Sequence, residues 1–228
     1  MLKRHNTKKL FFAEYLYKLT FRNDLSNIFA TRQPDNKALG YARGELDRLS
    51  EDYRNGNPLY RSVWRSTHRV SISDYQDAMK VYTTLKYSSN HRLRIDYSTM
   101  NIFSNDKDML LGLAAKLATD SCEFWEPDAS SIDFLLNTDN VIIVDEPPKF
   151  NFKVTFNYRS IDSTFADWLE NNQDKSSVGS RALYNIRQGY PNCVYIYVRD
   201  ERVLTIVQLL VGSNIQRIDK LVAISSIG

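Results

Sequence analysis

Two short stretches of the chain alternate apolar and polar positions in the same way. Tyr15-Leu-Tyr-Lys-Leu-Thr-Phe21 and Phe150-Asn-Phe-Lys-Val-Thr-Phe156 both read aromatic, any, aromatic, Lys, aliphatic, Thr, Phe. That is the period-two pattern of a strand with one apolar and one mixed face. A second pair follows further along: Asn101-Ile-Phe-Ser-Asn-Asp106-Lys-Asp-Met-Leu110 and Tyr195-Ile-Tyr-Val-Arg-Asp200-Glu-Arg-Val-Leu204. Each reads as a strand ending at an Asp and running into an apolar helix, with the Asp at the N-cap, where its carboxylate accepts from the free N–H groups of the first turn. The helices themselves are Met109 to Leu117 and Val203 to Val211, the second closed by Gly212.

Between these anchors the same cycle is expected twice. In the second half, Phe150 to Phe156 is a strand, Ser163 to Glu170 a helix, Ala182 to Arg187 a weak strand, Cys193 to Arg199 a strand, and Ile215 to Ala223 the last strand. In the first half the helix is Ser73 to Tyr87, followed by strands at His91 to Tyr97 and Thr99 to Ser104, the helix from Lys107, and a strand at Cys122 to Trp125. The expected fold class is α+β: two ferredoxin-like βαββαβ halves related by internal duplication. The first half, 1–125, carries an insertion at 22–70, and the second spans 150–228. Within the insertion, Asn36 to Arg54 reads as a helix whose Leu39, Ala42, Leu46, Leu49 and Tyr53 share a face. The Arg61-to-Val70 region reads as strands.

Charge sharpens this division. Residues 1–116 hold 20 basic and 12 acidic side chains, 117–149 hold 1 and 8, and 150–228 hold 9 and 7. The acidic run, with Pro127, Pro147 and Pro148, reads as a connector over 126–149, with Val141 to Val144 as a short buried strand inside it. A basic first half favours a polyanionic partner. No apolar run reaches the ~18–20 residues needed to span a bilayer, so no membrane partner is expected. Two cysteines, Cys122 and Cys193, give neither a disulfide framework nor a metal quartet, which suits a reducing cytoplasm. Low Gly with abundant Asn, Asp, Ser and Tyr suggests a viral source.

Period two also decides which side chains leave the core. On the second half it places Lys153, Tyr195, Tyr197 and Arg199 together on the open sheet face. On the first half it places Lys18, Arg92, Arg94 and Phe103 there, with Arg61, Arg65 and Arg69 as a basic stripe recurring every fourth residue. Rings beside cations on an open sheet suit a single strand of RNA or DNA, because a base stacks on the ring while its phosphate is neutralised nearby. In architecture and aromatic placement the arrangement resembles RNA-recognition modules, without the basic-Gly-aromatic-Gly opening of their third strand. The doubled arrangement is also similar to repeat-processing proteins of CRISPR systems and to phage translational repressors. Where the former usually carry a Gly-rich loop, this chain has isolated Gly189 and Gly212.

Catalytic patterns are sparse. His5, His68 and His91 are scattered, and no Gly-rich phosphate loop, Gly-x-Ser-x-Gly elbow or Cys-x-x-Cys pair occurs. Asp133, Asp139, Asp145 and Glu146 lack the spacing to Lys149 and Lys153 that a metal-dependent nuclease uses. The expected function is therefore single-stranded nucleic-acid binding, RNA before DNA, without catalysis, cofactor or metal. Two alternatives remain open: an assembly protein whose sheets form a subunit interface, giving a homo-oligomer, and a metal-independent endoribonuclease using His68 in Arg65-Ser-Thr-His68-Arg69.

Overall fold

A computed structural model describes residues 2–29, 35–63, 66–119, 121–191 and 194–227. Among these residues the protein is mixed α+β, with seven α-helices and two five-stranded mixed sheets. The chain divides into two compact units, Met1–Asp128 and Ala129–Gly228. No helix among the described residues is long and apolar enough to cross a membrane.

The first unit contains β1 (Leu2–Thr7), β2 (Tyr17–Arg22), α1 (Asp35–Arg54), β3 (Tyr60–Val63), β4 (Ser66–Arg69), α2 (Ile72–Lys86), β5 (His91–Asp96), β6 (Thr99–Ser104), α3 (Lys107–Lys116) and β7 (Cys122–Pro127). Its sheet runs β1-β7-β2-β6-β5, with β1 parallel to β7 and every other pair antiparallel. The odd positions of β2, Tyr17, Leu19 and Phe21, are buried, together with Met100 and Ile102 of β6 and Tyr75, Ala78, Val81 and Leu85 of α2. A fully buried side chain of this size contributes about 1.5–3 kcal/mol, so this face sets the register of the whole sheet. Ser71 caps α2, its hydroxyl accepting from the Asp74 amide at 2.9 Å. Asp106 caps α3, accepting from the Met109 amide at 2.8 Å, as expected from its position after a strand. Within the insertion, Ala42, Leu46 and Leu49 of α1 are buried along one stripe, and Tyr53 meets the Tyr75 ring at 5.1 Å. The strands β3 and β4 form a separate antiparallel hairpin.

The second unit contains α4 (Ile132–Asn137), β8 (Val141–Val144), β9 (Phe152–Phe156), α5 (Thr164–Asn171), β10 (Ser176–Ser177), α6 (Ser180–Arg187), β11 (Tyr195–Val198), α7 (Glu201–Val211) and β12 (Ile215–Ala223). Its sheet runs β10-β11-β9-β12-β8, with β8 parallel to β12. Phe152, Val154 and Phe156 pack with Phe165, Leu169, Ile196, Val198, Val203 and Val207 in one core. Asp200 caps α7 through the Val203 amide at 3.0 Å. The segment 126–149, expected as an acidic connector, supplies α4 and the edge strand β8.

Taken outward from its central strand, each sheet has the same order. One neighbour of β2 is β6 and then β5; the other is β7 and then β1. One neighbour of β9 is β11 and then β10; the other is β12 and then β8. In each unit the outermost strand precedes the central one in sequence and pairs in parallel with the last. The similar sequences fall at matching registers: Lys18 lies opposite Phe103 and Thr20 opposite Asn101, while Lys153 lies opposite Tyr197 and Thr155 opposite Tyr195.

Two local expectations change. Ala182 to Arg187 is helical, part of α6, and the second-unit edge strand is the two-residue β10 before it. Ile186 is buried with Ala182 and Leu183 packed against the same core, while Arg181 is exposed, a spacing that serves a helix and not alternation. Gly212 ends α7 at the expected position, but with right-handed angles (φ −55°, ψ −39°) in place of the left-handed form. The chain then turns at Gly212–Asn214, where the Asn214 side-chain Nδ2 donates to the carbonyls of Arg159 (3.1 Å) and Ser160 (2.8 Å).

Candidate nucleic-acid interface

In the first unit the even positions of β2 face away from the helices and line up across all five strands. One row reads His5, Trp125, Lys18, Phe103, Arg92, and the next Lys3, Glu123, Thr20, Asn101, Arg94. Lys18, Arg92, Arg94 and Phe103 therefore share the face that alternation assigned them. Part of this face is covered, however, although Lys3, Arg92 and Arg94 on it are exposed. The segment between β1 and β2 folds over it and brings the Phe11 and Phe12 rings to 5.4 Å and 4.9 Å from Phe103, which is 5% exposed. Phe103 is thus an internal contact and offers no surface for a base.

The cations of that face are likewise engaged. Lys18 Nζ lies 4.2 Å from the centroid of Trp125 and 5.5 Å from that of Phe11, and the Arg92 guanidinium lies 4.0 Å from that of Phe12. Burial pulls the Lys18 amine below its ordinary value; Glu123 and Asp96 oppose this and Arg94 adds to it. Arg94 donates to Asp96 at 3.0 Å, and Asn101 links Asp96 (3.2 Å) to the Thr20 hydroxyl (3.0 Å). His5 stacks on Trp125 with centroids 4.4 Å apart. The covering segment turns at Phe12 and Ala13, both left-handed (φ 55° and 60°), with the Glu14 amide donating to the Phe11 carbonyl at 3.0 Å. A left-handed residue with a Cβ costs about 1–2 kcal/mol, so packing of the two rings must offset it.

In the second unit the corresponding face is only partly buried: Tyr195 is exposed and Ser177, Tyr197, Lys153, Thr155 and Arg217 are half-buried, while Asp219 is buried. Its rows read Ser177, Tyr197, Lys153, Asp219 and Tyr195, Thr155, Arg217. Lys153 Nζ sits 4.0 Å from the Tyr195 centroid, and the Tyr195 and Tyr197 rings meet edge to face at 5.6 Å. Tyr195 is 44% exposed, and among the described residues no ring other than Tyr197 packs on it. Burial raises the Tyr197 phenol above its ordinary value, with Tyr195 adding to the effect, so it remains a neutral donor at physiological pH. Arg217 donates to the buried carboxylate of Asp219 at 2.5 Å. Arg199, expected beside the tyrosines, is held at the strand end by Asp200 (3.0 Å) and Asp174 (3.9 Å).

The basic stripe of the insertion separates. Arg61 is buried, its Nη1 donating to Asn27 Oδ1 and its Nε 3.7 Å from Glu45. Arg69 is exposed, His68 pairs across the hairpin from Arg61, and Arg65 lies outside the described residues. Among the described residues no group of three or more His, Cys, Asp or Glu is placed to hold a metal ion. Sequence reasoning missed Trp125, Arg217 and Asp219, which the alternation of the last strand in each unit could have revealed once its register was known. It also missed Phe11 and Phe12, whose signal was the apolar patch Leu10-Phe-Phe-Ala13 ahead of β2. No family model, curated protein or solved structure matches this chain.

Proposed function

We propose that this protein binds single-stranded nucleic acid, RNA in preference to DNA, without catalysing a reaction, and that it acts in the cytoplasm. On this reading its two units are copies of one ferredoxin-like βαββαβ element extended by an edge strand, and the open face of the second unit is the binding platform. The observation that carries the reading is the exposed Tyr195, with half-buried Tyr197 against it on β11 and Lys153 beside it on the central strand β9. A base stacks on the Tyr195 ring and the phosphates lie toward Lys153. The first unit lends support: a row of the same kind there receives two flat rings of the chain itself, Phe11 and Phe12. The shared strand order and the matching registers support the duplication.

Anisotropy titration of the full chain with fluorescent oligonucleotides tests this. Stacking is worth about 1–3 kcal/mol per base, so Tyr195→Ala should weaken binding by roughly 5- to 150-fold. Affinity should also fall steeply with salt. Unchanged affinity in Tyr195→Ala and Tyr197→Ala, with the fold intact, removes the platform. A second reading, self-association, rests on Ile206, Leu209 and Leu210, which are exposed along α7, Leu209 at 82%. A concentration-dependent mass that Leu209→Glu abolishes would favour it.

A further inference from the structure

The hairpin β3–β4 and the loop that follows β2 border an open pocket of about 330 Å³, lined by Asn27, Arg61, His68 and Arg69, with Asp24 also in the wall. Two guanidiniums, Arg61 and Arg69, and the His68 ring share its lining. Arg61 is only 7% exposed, and its Nε has no hydrogen-bond acceptor among the described residues. The nearest carboxylate oxygen, Glu45 Oε2, stands 3.7 Å away and is shared with Arg48 at 3.4 Å. One negative charge thus serves two guanidiniums, and Arg69 adds a third cation at the cavity wall. Among the described residues Asp24 is the only carboxylate in the lining; its side chain is largely in solvent and paired with Arg22 at 3.7 Å. Burying a guanidinium without full pairing is costly, and arginine forks match the oxygens of a phosphate better than any other side chain.

We propose that this cavity binds a phosphate group, and that the group it takes is the terminal phosphate of a nucleic-acid strand. The second half of that statement rests on the function proposed above; the first does not. A chain end is favoured over an internal phosphate because Arg61 is deeply buried. An internal phosphate carries a sugar on both sides, which holds it away from a guanidinium that is only 7% exposed.

Thermal denaturation of the full chain in inorganic phosphate, against chloride at equal ionic strength, reads the first half. The midpoint rises saturably in the wild type and not in the double variant His68→Gln/Arg69→Gln, whose replaced side chains are exposed and leave Arg61 in place. An equal rise in both proteins overturns the cavity. Oligonucleotides of one sequence, ending in a phosphate or in hydroxyls, read the second half. A phosphorylated end should bind about tenfold tighter to the wild type, the worth of one charge-assisted hydrogen bond. In the double variant the two should bind alike. Tyr195→Ala should weaken both oligonucleotides and leave their ratio unchanged. Equal binding of the two oligonucleotides by the wild type overturns the terminal-phosphate assignment. Phosphate protection confined to the wild type, with no oligonucleotide bound, overturns the nucleic-acid reading and keeps the phosphate cavity.

Discussion

Phe103 and Tyr197 hold the same place in their sheets, opposite Lys18 and Lys153, yet their replacement by alanine should have opposite consequences. Phe103 is enclosed by Phe11 and Phe12. A buried aromatic ring covers about 150–250 Å², which at ~25 cal/mol per Å² corresponds to about 4–6 kcal/mol; interior Phe→Ala replacements cost about 3–5 kcal/mol. Phe103→Ala should therefore destabilise the first unit by about 4 kcal/mol. At a urea slope of about 2 kcal/mol per M, its midpoint falls by about 2 M. Tyr197 is only partly buried and its described ring partner is Tyr195, so Tyr197→Ala should cost about 1–2 kcal/mol, an edge-to-face pair plus modest burial. Urea titration followed by amide hydrogen exchange assigns each loss to its unit, which matters because the two units need not unfold together. In the binding assay the order reverses: Tyr197→Ala weakens oligonucleotide binding and Phe103→Ala leaves it unchanged. Equal stability losses, or a Phe103→Ala cost below about 1.5 kcal/mol, would refute the contrast between a covered and an open face.

Three further outcomes follow from local geometry. Ala13→Gly should stabilise the first unit by about 0.5–1 kcal/mol, the left-handed penalty less the entropy glycine loses on folding; an unchanged urea midpoint would count against strain at that turn. Asp106→Ala and Asp200→Ala should each cost about 1 kcal/mol in denaturation, since each removes the acceptor for a first-turn amide. Burial pushes the Glu126 carboxyl up, but hydrogen bonds from Lys107 (2.5 Å) and Arg4 (2.7 Å), with their charges, outweigh it and hold it below the usual range. A lowered folded value gives stability that is present above the unfolded Glu value of about 4.3 and is lost as pH falls through the folded one. Glu126→Gln should therefore flatten the loss of first-unit stability with acid, and an unaltered pH profile of the urea midpoint would contradict this.

Elements carried by local signals were legible in the sequence. Asp106 and Asp200 mark helix starts because the cap is a property of a few consecutive residues, and the alternation of Tyr17 to Phe21 and Phe152 to Phe156 needs only the period of a strand. The α6 helix was misread because Ala182 to Arg187 is short enough for either period, and burial of Ile186 against the second core is a tertiary fact. The candidate site was legible by half. Alternation assigned Lys18, Arg92, Arg94, Phe103, Lys153, Tyr195 and Tyr197 to sheet faces. It could not say that Phe11 and Phe12 return over one of those faces, that Arg199 is drawn aside by Asp174 and Asp200, or that Arg61 points inward to Asn27, because each depends on where a loop or a distant carboxylate arrives.

The outermost strand of each sheet bears on how the chain acquires its structure. Leu2 finds Cys122 and Val141 finds Lys220, so the earliest strand of each unit waits unpaired until nearly the whole unit has emerged. Pairings this distant along the chain slow folding, because the entropy of closing the long loop is lost before the contacts are gained. During synthesis the first unit is thus complete only when β7 has been made, and the second only at β12.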